Sequence, residues 1–255
     1  MPKVILLGPQ RLAPTLVDAV NDLGIDGPVA MITAGWEERE EEDTELKQHL
    51  DKPTVNLRVF GRVEEIYKSD TELHGATLER QETIRKLRDL YRLRLGHALQ
   101  AARELLRWNN GDRALAEPDC DAAIKAVRDL DAHHKERISQ VHTAFEATWK
   151  PAKRPAVARH RKEIQKLMKG AAALGVAGGH VNRLLNRMRL LGLPELARNL
   201  PVLAWSAGAM ALSQQIVLFH DSPPQGAGDA EVLEAGLGLY SGVIPLPDAR
   251  RRLRL

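Results

Sequence analysis

A serine stands where an apolar run gives way to small side chains. Residues 201–205 form a short apolar run, and Ser206-Ala207-Gly208-Ala209-Met210 follows, with side chains small enough for a sharp strand-to-helix turn. Such a turn holds a hydroxyl clear of the sheet, and the helix after it presents free N–H groups to a developing oxyanion. A Ser-x-Gly triplet is common by chance. In this context it favours Ser206 as the nucleophile of an acyl-transfer reaction.

The elements that must position this serine alternate between strand-like and helical patterns. Short apolar runs are separated by segments whose apolar residues recur every three or four positions. The predicted strands are residues 3–8, 29–32, 55–60, 171–176 and 201–205, with a last one near Val243. This alternation predicts an α/β fold with a mostly parallel sheet and helices on both faces.

The middle of the chain has a different pattern. Strand-like runs vanish over residues 63–168, and apolar positions step by threes and fours from Ile84 to Leu105 and again from Ile124 to Phe145. Long amphipathic helices have this periodicity. We therefore expect a helical insertion at 63–168, a long α-helical hairpin, within an α/β domain formed by residues 1–62 and 169–255.

Turn and breaker residues define the parts of the predicted hairpin. Asn109-Asn110-Gly111-Asp112 has turn chemistry, and Pro118 is placed where the first turn of a helix accepts proline. Residues 150–162, with two prolines and a basic cluster, are interpreted as the connector that returns to the sheet.

Several ordered motifs together carry a family resemblance. They are Ile32-Thr33-Ala34-Gly35-Trp36, the pair Gly178-Gly179, the run Trp205–Ala209, the segment Gly236-Leu237-Gly238-Leu239 and an arginine-rich end. The chain resembles the serine peptidases of family S51, which include aspartyl dipeptidase and cyanophycinase and are related in fold to class I glutamine amidotransferases. The resemblance covers residues 1–60 and 170–255.

The resemblance implies a flavodoxin-like sheet and specific roles at its edge. Ser206 would be the nucleophile, and the backbone N–H groups of Gly179 and Ala207 would form the oxyanion hole. The acid that orients the base would be Asp221, 15 positions after the serine. At the position of the family histidine this chain has Asp248, and a carboxylate is a poor base for serine at neutral pH.

Other residues could supply the base or bind the substrate. His180 follows the glycine pair at a strand end and is the first candidate for a relocated base, although substrate contact is the simpler role. His220 adjoins Asp221, and adjacent residues of a strand face opposite sides. Trp36 follows a strand's carboxyl end, where it could line a substrate pocket.

Composition sets the broad class. The chain has 255 residues, 44% of them hydrophobic, a net charge of +3 and a single cysteine, Cys120. No apolar run reaches the roughly 20 residues of a membrane span, and Arg11 and Pro14 interrupt the start before a signal-peptide core could form. These features predict a cytoplasmic protein that binds neither membrane nor nucleic acid.

Two functional hypotheses follow. The first is a serine-type peptidase or amide hydrolase that acts on short peptides with aspartyl or β-aspartyl residues, and that needs neither cofactor nor metal. The second is a catalytically inactive relative, without its base, that binds a ligand or a partner. The apolar stripes of the long helices either support a homodimer or bury one another.

Overall fold

The computed structural model describes residues 3–108, 113–219 and 229–247 and divides them into two compact units. The first unit takes in residues 3–75, 149–216 and 235–247, and the second takes in the described residues of 76–148 and 217–234. The predicted insertion, 63–168, differs from the second unit at both ends and lacks the segment 217–234.

The first unit contains a five-stranded parallel sheet. Its strands are β1 (Val4–Leu7), β2 (Val29–Ile32), β3 (Thr54–Asn56), β4 (Ala173–Val176) and β5 (Val202–Trp205). Their spatial order is β1-β5-β4-β2-β3, and every neighbouring pair is parallel. Read from the β3 edge, this is the doubly wound order 2-1-3-4-5 of flavodoxin-like folds, with the chain's first strand in the outermost place. The predicted α/β, flavodoxin-like class is confirmed.

Helices cover both faces of this sheet. They are α1 (Leu16–Asp22), α2 (Thr44–Leu50), α3 (Val59–Ser69), α6 (Pro155–Met168), α7 (Val181–Leu190), α8 (Leu193–Leu196) and α9 (Ala207–Leu212). Val29 and Met31 point into one core with α1 and α2. Ala30 and Ile32 alternate with them and are also fully buried, on the face where α3, α7 and α9 pack. Burial on both faces explains why the strands are continuous apolar runs.

The second unit is built on two 37-residue helices, α4 (Thr71–Arg107) and α5 (Arg113–Trp149). Ile84 packs with Ile138 and Tyr91 with Leu130, so the two helices run antiparallel. The short strands β6 (Ile216–Leu218) and β7 (Glu231–Glu234) pair with each other. The long helical hairpin that the sequence predicts is confirmed, and its apolar stripes do bury one another here.

Four local predictions are wrong. The third strand ends at Asn56, and Val59 and Phe60 begin α3. The segment 150–162 is largely the start of α6, preceded by a 3-10 turn. The stretch around Val243 is irregular. Pro118 lies in the second turn of α5, where it removes only one of the helix's early hydrogen bonds.

Candidate active site

Ser206 has a strained backbone conformation at a strand-to-helix turn. It directly follows β5 and precedes α9, with φ 50° and ψ −123°. A residue other than glycine rarely adopts this region, and such strain collects at functional sites. The conformation persists because Ser206 N–H donates to Leu7 at 3.2 Å, and its carbonyl accepts from Met210. Ser206 is half-buried at the carboxyl end of β5, where it lines a cavity.

Two turns meet beside this hydroxyl, one after β4 and one after β5. A Cβ placed on Gly178 would lie 2.8 Å from Ser206 Cβ, and 3.5 Å from both Ser206 Oγ and the backbone nitrogen of Ala207. Among the described residues, neither Gly179 N–H nor Ala207 N–H finds an acceptor. The two amides expected to form an oxyanion hole therefore belong to touching turns and are free to donate.

The turn after β2 contacts the turn after β4. Gly179 has φ +106°, and a Cβ there would overlap the carbonyl oxygen of Gly35. That carbonyl accepts from His180 N–H at 2.7 Å. Connections leave β2 and β4 toward opposite sides of the sheet, so these turns flank the topological switch point at which doubly wound folds bind ligands.

A cavity of about 310 Å³ opens at this point. Its wall combines the predicted residues Ser206, Gly179 and Trp36 with polar side chains from other elements. The full lining is Pro9, Gln10, Arg11, Trp36, Glu42, Glu45, Leu46, His49, Gly178, Gly179, Trp205 and Ser206. This volume is near the lower end of small-molecule sites, which span roughly 300–1,000 Å³. The cavity has room for a small molecule.

The histidine that the sequence favoured as a relocated base serves as a helix cap. His180 is exposed, and its Nδ1 accepts from the backbone N–H of Arg183 at 3.3 Å. It does not line the cavity. Among the described residues, none forms a hydrogen bond with the Ser206 hydroxyl. His220, Asp221 and Asp248 lie outside the described residues.

A buried polar network fixes the segment between β2 and α2. Asn56 Nδ2 donates to the Glu40 carbonyl at 2.8 Å and to Asp43 Oδ2 at 3.1 Å. The Glu40 carboxylate accepts from the N–H groups of Phe60 and Gly61 at the start of α3. Burial raises the pKa of Glu40, while those two N–H groups oppose the rise. Glu40 thus ties the segment that carries Trp36 to α3.

The Gly236–Leu239 segment is hydrogen-bonded to the end of α9. Leu237 N–H donates to Ala211 at 2.8 Å and Leu239 N–H to Leu212 at 2.9 Å. The Tyr240 hydroxyl donates to the Ala209 carbonyl at 2.6 Å, and burial raises the pKa of Tyr240 to about 12. The glycine-leucine motif on which the resemblance partly rests therefore braces α9 and, through it, Ser206.

Sequence reasoning missed the polar wall contributed by α2 and the loop after β1. Glu42, Glu45 and His49 recur at i, i+3 and i+7, which places them on one side of α2 and its lead-in. Arg11, in the loop after β1, lines the same cavity. The helical spacing of Glu45 and His49, after a predicted strand, could have indicated that they share one side of a helix. It does not indicate which strand end that side would face.

A scan against family models finds no match to the chain, and a search of curated proteins finds none. In the part of the chain that the structure describes, no helix is both long and apolar enough to cross a membrane. The same residues contain no cluster of three or more His, Cys, Asp and Glu side chains able to hold a metal.

Proposed function

We propose that the chain is a serine-type hydrolase of the S51 kind that cleaves short peptides with aspartyl or β-aspartyl residues. The observation that carries the proposal is the strained backbone of Ser206, which lines a cavity. The backbone N–H groups of Gly179 and Ala207, in the turns after β4 and β5, have no acceptor among the described residues. Nucleophile elbows hold a serine in this way so that its oxygen is exposed at the top of a sheet.

The chemistry asked of these residues is acyl transfer. Ser206 Oγ attacks the carbonyl carbon of the peptide, and the negative charge that develops on the carbonyl oxygen is met by the N–H groups of Gly179 and Ala207. The C–N bond breaks as the amine leaves with the proton that the Ser206 hydroxyl gave up, and water then hydrolyses the acyl-serine ester. Each donor in such a hole contributes about 10²–10³-fold to the rate.

The charges around the cavity support a small zwitterionic substrate. Arg11 supplies a cation that can pair with a carboxylate, and Glu45 supplies an anion that can pair with a free amino group. Glu42 is already bonded to Arg39 at 2.6 Å, so it is less available. A cation and an anion in one small cavity match the two charged ends of a dipeptide better than they match a long uncharged chain.

The test is turnover of Asp-X dipeptides and β-aspartyl peptides by the unmodified protein and by Ser206→Ala. We expect hydrolysis by the former and background rates for the latter, because the attacking oxygen is gone. Ser69→Ala is the matched control: this serine lies at the end of α3, bonded to the Ile66 carbonyl, and its loss should leave turnover unchanged.

The second candidate function is a catalytically inactive member of the family that binds a ligand. It is favoured by the Ser206 hydroxyl, which has no hydrogen-bond partner among the described residues, and by Asp248 at the family's histidine position. Asp248→His separates the two candidates. If only this variant hydrolyses the peptides, the site is preserved but lacks its base. Ser206-dependent turnover by the unmodified protein would instead exclude a catalytically inactive protein.

A further inference from the structure

A serine hydrolase needs a base within reach of its nucleophile, and the cavity contains a histidine that the family pattern does not assign. Of the histidines in the described part of the chain, His49 is the one that lines the cavity with Ser206. His49 is half-buried, and it is part of the cavity wall. Because His49 and Ser206 line the same cavity, a substrate bound at Ser206 would also lie near the imidazole.

The helix that carries His49 is fixed in place. Leu46 and Leu50 anchor α2 in the core below the sheet. Asp43, just before the helix, forms an ion pair with Lys47 at 2.8 Å and accepts from Asn56 at 3.1 Å. An imidazole on a rigid element keeps its orientation, which a general base requires.

Glu45 gives this histidine an acidic neighbour. The two residues are one helical turn apart, at i and i+4, and both line the cavity. This spacing places the Glu45 carboxylate and the His49 imidazole on the same side of α2. The other charged groups that line the cavity are Arg11, from the loop after β1, and Glu42, which is paired with Arg39.

Resting on the proposed function, we propose that His49 is the general base of Ser206, assisted by the charge of Glu45. The two side chains line one cavity and share no direct hydrogen bond, so this role requires one water to relay the proton between them. As Ser206 Oγ bonds to the carbonyl carbon, its proton passes through that water to an imidazole nitrogen. The imidazolium then gives the proton to the departing amine nitrogen as the C–N bond breaks. A second water then attacks the acyl carbon as the imidazole takes its proton, and the ester C–O bond breaks as the imidazolium returns a proton to Ser206 Oγ.

His180 fits this role less well. Its Nδ1 is occupied by the Arg183 N–H, and it is directed to solvent outside the cavity. The geometry therefore assigns the role to α2 and not to the turn after β4.

The experiment compares the unmodified protein with His49→Ala, His49→Gln and Glu45→Gln on two readouts. The first is hydrolysis of the aspartyl and β-aspartyl peptides, and the second is covalent labelling of Ser206 by phenylmethylsulfonyl fluoride, followed by intact mass. We expect both His49 variants to lose about 10²–10⁴-fold in kcat and in labelling rate with little change in KM. Imidazole in the buffer should partly restore His49→Ala and not His49→Gln, whose side chain fills the space.

The pH profile distinguishes a base from a structural role. In the unmodified protein, kcat/KM should rise with pH through one titration and reach a plateau. In His49→Ala that plateau should disappear. Glu45→Gln should lower kcat by less than either His49 variant, because it removes only the neighbouring charge and leaves the base in place. His97→Ala, an exposed histidine of α4, is the control that should match the unmodified protein.

Three outcomes overturn the proposal, and they are distinguishable. Ser206-dependent turnover at the unmodified rate in both His49 variants would refute the role of His49 and leave the proposed function intact. Equal losses in folded His49 variants with an unchanged pH profile and no rescue by imidazole would reduce His49 to a structural residue. Neither turnover nor labelling in the unmodified protein would refute the proposed function, and the role of His49 with it.

Discussion

Gly179 is the residue at which the candidate site depends most directly on a missing side chain. Its φ of +106° is costly for any other residue, and a Cβ would overlap the Gly35 carbonyl. We predict that Gly179→Ala lowers the free energy of unfolding by about 2–3 kcal/mol. Thermal unfolding should show this as a reduced Tm, together with a loss of any Ser206-dependent activity as the turn moves.

Gly96 supplies the comparison for that prediction. It lies inside α4, and nothing stands within 4 Å of the place where its Cβ would be. Gly96→Ala should therefore raise the free energy of unfolding by about 0.5–1 kcal/mol. Equal Tm values for Gly179→Ala and the unmodified protein would show that the turn after β4 is not confined as the structure describes.

Single residues also show how far the sequence predicts the site. Ser206, Gly179 and Trp36 could be proposed because each follows a predicted strand, and the carboxyl ends of parallel strands share one edge. His49 could not, since its place depends on how α2 packs over the sheet. A sequence pattern predicts which residues share a face of α2, but it does not predict that this face lines the cavity.

Among the elements, the junction of α3 and α4 is secured by an ion pair. Asp70 lies between the two helices, where Oδ1 accepts from the backbone N–H of Leu73. Both oxygens also accept from the Arg154 guanidinium, before α6. The hydrogen bonds from Arg154 lower the pKa of Asp70 below its ordinary 3.8, although partial burial opposes the shift. The pair joins the start of the long hairpin to the segment that follows it.

We predict that Asp70→Asn lowers the free energy of unfolding at pH 7 by about 1–3 kcal/mol. Because the folded-state pKa is depressed, this stabilisation is present above the unfolded value of about 3.8 and is lost as pH falls through the folded value. Urea unfolding at pH 7 and at successively lower pH should show the variant and the unmodified protein converging in acid.

Asp89→Asn is the matched control on the exposed face of α4. Asp89 pairs with Arg85 at 3.3 Å, and both side chains are more than half exposed. Exposed pairs of this kind contribute little to stability, because solvent screens them. A loss at Asp70 no larger than that at Asp89 would show that the Asp70–Arg154 pair does not hold the junction.

The elements differ in how well the sequence predicts them. β2, β4 and β5 are recognisable because strands buried on both faces must be apolar throughout. The boundary between β3 and α3 was misplaced because Val59 and Phe60 are apolar in either structure. The deciding partner is Glu40, whose carboxylate accepts the first N–H groups of α3 from 20 positions away in sequence. Local patterns cannot register such a contact.

At the scale of the whole molecule, the second unit depends on a chain segment remote from its helices. Arg92 of α4 donates two hydrogen bonds of 2.6 Å to the buried carboxylate of Glu231 in β7. His142 Nε2 lies 2.8 Å from the buried Glu234. The sequence predicted the hairpin but not this strand, because a four-residue segment with acids at both ends lacks a strand pattern.

Because the chain divides into two units, we expect a substitution in β7 to destabilise the second unit and not the first. Glu231→Gln removes the charge that pairs with Arg92 from a buried position, and it should destabilise the second unit by about 1–3 kcal/mol. Hydrogen exchange followed by mass spectrometry should then show faster exchange, by about tenfold per 1.4 kcal/mol, in peptides from 76–108, 113–148 and 229–234. Peptides from β2, β4 and β5 should keep their protection.

Asp129→Asn is the control for that experiment, because its pairing with Lys125 is confined to the exposed surface of α5. It should leave exchange unchanged in both units. If Glu231→Gln accelerates exchange equally in the sheet and in the helices, the two units unfold as one cooperative body. The contacts of β7 would then stabilise the candidate site as well as the hairpin, and activity would fall with them. Protection that is lost only in the second unit would instead mean that the sheet and its cavity are stable without the hairpin's contacts to β7.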